Sequence, residues 1–95
     1  MKYSIYYPTP LNEIKDIKND NIDVCVNTEF ESYTFVIATI DNLKETAWYD
    51  KRGFVSPCAP ILLVESLTKE TIECLIEELS KDEVLFKLYG KDLNN

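Results

Sequence analysis

The chain has 95 residues, with 17 acidic against 10 basic side chains, no histidine and a net charge of −7. That length suits one domain with a single core, residues 1–95, which buries roughly 60–65% of the unfolded surface and leaves little volume for a deep dinucleotide pocket. The charge disfavours direct contact with nucleic acid or an anionic membrane, where affinity comes from neutralising phosphates, and favours a basic partner.

Lys2 to Tyr7 has strand composition, with Tyr3, Ile5 and Tyr7 on one face and Tyr6 on the other. Pro8-Thr9-Pro10 ends it. Thr9 and Pro10 then offer an N-cap and a first-turn proline. Leu11, Ile14 and Ile17 recur at three-residue spacing, which predicts a short helix from Pro10 to about Lys18. Asn19-Asp20-Asn21 is a turn cluster. Ile22, Val24 and Val26 alternate with Asp23, Cys25 and Asn27 as a half-buried strand. Tyr33 to Ile40 is the strongest β stretch and reads as a central strand. Asp41-Asn42 fits a two-residue hairpin turn, with Leu43 to Tyr49 returning as a more polar edge strand and 50–53 as a loop. Ser56-Pro57-Cys58-Ala59-Pro60 is an irregular lead-in to the next segment.

Pro60 to Tyr89 is the most legible part and reads as strand, helix, strand. Ile61 to Val64 is a continuous apolar run, as expected of a strand covered on both faces or mostly buried. Thr68 is a good N-cap, and Leu67 and Ile72 stand at the two positions of a hydrophobic staple. Ile72, Leu75, Ile76 and Leu79 form one apolar stripe. Glu70, Glu73 and Glu77 fall within roughly a 60° arc on the other side, flanked by Cys74 and Glu78. Val84, Phe86 and Leu88 then alternate with Leu85, Lys87 and Tyr89, which predicts a closing strand. Residues 91–95 form a polar, frayed tail.

The expected architecture is therefore α+β: a mixed or antiparallel sheet of about five strands with two helices packed on one face. The element order β-α-β-β-(β)-β-α-β resembles the ferredoxin-like plan with extra strands, as small regulatory domains of the ACT type use it. The resemblance lies in element order alone. It implies a ligand-sensing domain that acts as a dimer.

Site chemistry is sparse. The absence of histidine removes the commonest general base and the commonest zinc ligand, so a His-assisted serine or cysteine nucleophile is excluded within one chain. Cys25, Cys58 and Cys74 are odd in number and lack the paired short spacing of a structural zinc site, so neither a disulfide framework nor a metal centre is expected. Cys58, held between Pro57 and Pro60 with Arg52 nearby in sequence, is the thiol best placed for a lowered pKa, although packing under the sheet is the simpler reading. With only Gly53 and Gly90 there is no phosphate-cradling loop, and no cofactor is expected. The three glutamates lie on a convex face, whereas catalytic carboxylates need a cleft that drives their pKa values apart.

The remaining candidates are contact surfaces. Trp48 and Tyr49, followed by Arg52, put large aromatics beside a compact cationic patch, the usual anchors of protein interfaces. Tyr3, Tyr6 and Tyr7 read as sheet packing. The leading expectation is a cytoplasmic, non-enzymatic protein-binding domain, inhibitor or immunity-like. It would present Glu70, Glu73 and Glu77 to a basic surface with Trp48, Tyr49 and Arg52 as anchors. The alternative is the ACT-like ligand-sensing dimer, with its ligand between Ile61–Val64 and the helix start near Thr68.

Overall fold

The period-two runs build the sheet. The computed structural model describes residues 2–50 and 60–92, without the side chains of 46–50. In it β1 (Tyr3–Tyr6), β2 (Asn21–Thr28), β3 (Ser32–Thr39) and β4 (Ile61–Val64) lie side by side in chain order. The pairs β1–β2 and β2–β3 are antiparallel. β4 runs parallel to the second half of β3, with Val36 opposite Ile61 and Thr39 opposite Val64. A two-residue strand, β5 (Lys91–Asp92), pairs antiparallel with the first half of the same edge, at Tyr33 and Thr34.

This register sets Ile5, Val26 and Tyr33 abreast, Val24 beside Phe35, and Ile22 beside Ile37 and Leu62. All share one face, because side chains alternate along a strand. Two helices close that face: α2 (Lys69–Ser80) through Ile72, Ile76 and Leu79, and α3 (Glu83–Tyr89) through Phe86. The fold is α+β with a five-stranded, largely antiparallel sheet. Among the described residues, no helix is long and apolar enough to cross a membrane.

Three predicted elements take other forms. The segment after Pro10 is one 3-10 turn, Leu11–Glu13, rather than a helix to Lys18. Its backbone groups bond elsewhere: the Asp16 carboxylate accepts the Lys18 N–H at 3.0 Å, and the Ile17 carbonyl accepts the Leu67 N–H at 2.7 Å. Local side-chain bonds of this kind compete with helix.

Leu43 to Tyr49 is not a returning strand but part of α1 (Ile40–Asp50). The fully buried Thr39 caps it, its Oγ1 accepting the Asn42 N–H at 3.2 Å. Asp41 and Asn42 thus form a first helical turn instead of a hairpin. The free edge of β3 that a returning strand would need is shared by β4 and β5. Trp48 and Tyr49 lie in this helix, and no edge strand carries them.

The predicted closing strand is α3. Asp82 caps it, one carboxylate oxygen accepting the N–H groups of Val84 at 3.1 Å and Leu85 at 3.2 Å. Glu83 and Lys87 pair at i,i+4 across 2.9 Å. Phe86 is buried, while Val84 is 77% and Leu88 58% exposed. Pro60 to Tyr89 is consequently strand-helix-helix. The parallel β-α-β unit among the described residues is β3-α1-β4. The observed order, β-β-β-α-β-α-α-β, departs from the ferredoxin-like one. Of the predicted frayed tail, Lys91 and Asp92 pair with β3, and residues 93–95 lie outside the described residues.

Candidate functional site

The acidic face of α2 is phased by its first turn. Thr68 Oγ1 accepts the Thr71 N–H at 3.2 Å, and its hydroxyl donates to Thr71 Oγ1 at 2.8 Å. Leu67 and Ile72, both buried, form the staple before and after the cap. With Ile72, Ile76 and Leu79 fixed against the sheet, Glu70, Glu73, Cys74 and Glu77 must point outward, and all four are exposed.

β1 and the chain just after it face these carboxylates. The Tyr3 hydroxyl donates to Glu77 Oε2 at 2.7 Å. Burial, then the Glu77 bond and charge, push the Tyr3 hydroxyl up to about 12. Tyr7 is also raised, by burial first and by the charge of Glu73 second. Its hydroxyl oxygen is buried without a hydrogen-bond partner among the described residues. Between the two walls runs an open groove of about 1220 Å³, with Tyr3, Ile5, Tyr6, Tyr7 and Leu11 on one side and Glu70, Glu73, Cys74 and Glu77 on the other.

The groove is electrically unbalanced. Lys69 approaches Glu73 at 3.8 Å, but both are solvated, so the pair contributes only about 0.3–0.5 kcal/mol. The partner of Glu77 is the neutral Tyr3 hydroxyl and not a cation. Glu70 makes no ion pair or side-chain hydrogen bond among the described residues. Two walls, one aromatic and apolar and one anionic, suit a ligand that carries both apolar stems and positive charge.

The structure brings the three predicted glutamates together. Of the expected anchors, the side chains of Trp48 and Tyr49 and the whole of Arg52 lie outside the described residues, as does Cys58. The tyrosines that read as sheet packing supply the aromatic wall instead. A signal was present in the sequence: tyrosines at 3, 6 and 7 occupy both faces of one strand, more than a single core can use. Tyr6 is 60% exposed. Cys25 lies 3.8 Å from the Thr34 hydroxyl, beyond the core face. No cluster of three or more potential metal-binding side chains occurs among the described residues.

A second hollow of about 350 Å³ lies where the parallel strands β3 and β4 end, lined by Lys18, Ile40, Asp41, Glu65 and Ser66. It sits near the position expected for a small ligand, but Thr68 and the start of α2 do not line it.

The tyrosine–carboxylate bonds make a prediction about alkaline stability. Tyr33, 6% exposed, donates to the Glu31 carboxylate, and that bond, then burial, push its hydroxyl up to about 12. Tyr3 and Tyr33 both ionise at 10.0 when unperturbed. The folded state therefore holds their protons more tightly. The stabilisation is complete below pH 10 and is lost as pH rises towards about 12. Denaturant titrations across that window are expected to show stability falling as tyrosinate absorbance grows, and Tyr3→Phe with Tyr33→Phe to flatten the fall.

No family model, no curated protein and no solved structure matches this chain.

Proposed function

We propose that this chain is a small, acidic, non-enzymatic binding protein of the cytoplasm, inhibitor or immunity-like, that docks a basic surface of another protein onto α2. The observation that carries the reading is the alignment of Glu70, Glu73 and Glu77 along one wall of an open groove whose other wall is tyrosine. The negative row attracts a cationic surface over several ångströms, and the tyrosines supply contact area at low entropic cost. The carboxylates stand in for the phosphates that a basic nuclease or other nucleic-acid enzyme would otherwise hold.

Binding to a panel of basic nucleases at low and at high salt tests this. A charge-driven contact is expected to weaken steeply between the two conditions, since exposed charges are screened within about 10 Å at 0.1 M salt. Salt-independent binding, or none to any basic protein, contradicts it.

A further inference from the structure

The shape of the groove says how a partner enters it. Ile5 and Tyr6 in β1, and Tyr7 just after it, all line the groove. Successive side chains of a strand point to opposite faces. A hollow lined by both Ile5 and Tyr6, neighbours within β1, therefore runs along the edge of the strand rather than over one face. β1 is that edge: it pairs with β2 on one side and with no strand on the other among the described residues. Its outer side offers the unpaired N–H and C=O groups that can template another strand.

We infer that the groove accepts an extended, basic segment of the partner, which adds to the sheet as a further strand along β1 while its lysines or arginines reach the α2 carboxylates. This rests on the basic-partner reading above and specifies the segment that binds. The spacing is compatible. Along a helix that rises about 1.5 Å per residue, Glu70, Glu73 and Glu77 are separated by about 4.5 and 6 Å. Alternate side chains of an extended chain are about 6.8 Å apart on one face. Cationic side chains at every second position thus meet successive glutamates, and their flexible stems absorb the mismatch. The intervening side chains turn to the other face, where Tyr6 is exposed. A second copy of this chain is the wrong occupant, because it would set one row of glutamates against another at a net charge of −7 each.

The test uses the full chain and two short labelled peptides of alternating Lys and Thr, one of them N-methylated along its central residues. Methylation removes the backbone donors and keeps the charge. The unmodified peptide is expected to bind at least about tenfold more tightly, as main-chain hydrogen bonds supply affinity in strand addition, and to slow amide exchange at Ser4 to Tyr6. Equal binding of the two peptides, or unchanged exchange in β1, overturns the inference while leaving the charge-driven reading intact. Failure of both peptides to bind at low salt overturns both. Self-association of the free protein through β1, seen by sedimentation and exchange, puts a second copy on the edge and also overturns the inference.

Discussion

Replacing Phe86 with alanine is expected to cost about 3–5 kcal/mol of folding stability, whereas Val84→Ala and Leu88→Ala should each stay within about 0.5 kcal/mol. Phe86 is 1% exposed and fills the centre of the α3 contact. Its ring meets Tyr33 edge-on at 5.1 Å and Phe35 at 5.0 Å. Truncation loses the transfer energy of a large side chain, both aromatic contacts and the packing around the resulting void. Val84 and Leu88 face outward, and alanine there even favours the helix. The two secondary-structure readings of 83–89 predict different mutant series. As a strand, Val84, Phe86 and Leu88 would share one buried face and all three truncations would be costly. Urea denaturation of the three variants distinguishes them, with Phe86→Leu as a milder version should the alanine variant not fold. A loss of several kcal/mol at Val84 or Leu88 contradicts the helix.

Gly90→Ala is expected to destabilise the fold by about 1–3 kcal/mol, against the usual sign for such a change. In open space, alanine for glycine stabilises by about 0.4–1 kcal/mol, by removing freedom from the unfolded chain. Here a Cβ would stand 2.7 Å from Phe35 Cζ and 2.9 Å from the Phe86 carbonyl oxygen. The ring is held by the core, and the oxygen is backbone, accepting the Gly90 N–H at 2.9 Å. Neither moves without disturbing the aromatic cluster, so the steric term outweighs the entropic one. The φ of −89° is ordinary, and the requirement for glycine is one of space alone. Thermal or urea denaturation checks the sign. A neutral or stabilised Gly90→Ala would mean that α3 and β3 sit further apart than described.

How far the sequence could be read depended on whether one pattern or two fitted each segment. α2 was legible because a cap, a staple and four apolar positions agree on one phase, and the same phase put its glutamates on one face. β2 was legible from the alternation of Ile22, Val24 and Val26 with their neighbours, and β3 from its run of β-branched and aromatic residues. Residues 83–89 span under two helical turns, and an apolar pattern that short fits both periods. The deciding feature was Asp82, a strong cap immediately before them. At 39–42 the deciding feature was Thr39, whose capping role depends on burial against Asp20, which no local pattern reveals. Leu11 and Ile14 do pack against the core, but from a turn rather than a helix. The tyrosine wall was missed for a topological reason. Whether Tyr6 covers a core or borders a groove depends on which strand, if any, lies beyond β1.

The most direct test of the account compares two charge-neutralised triples with the native chain in binding to a basic partner at low salt. Glu70→Gln, Glu73→Gln and Glu77→Gln change the net charge from −7 to −4, since −7 + 3 = −4. Asp23→Asn, Glu29→Gln and Glu65→Gln make the same change on exposed sites away from the groove. The first triple is expected to lose at least about tenfold in affinity and most of its salt dependence, and the second to lose little. Equal losses from both triples would mean that overall charge, and not the row of carboxylates on α2, attracts the partner.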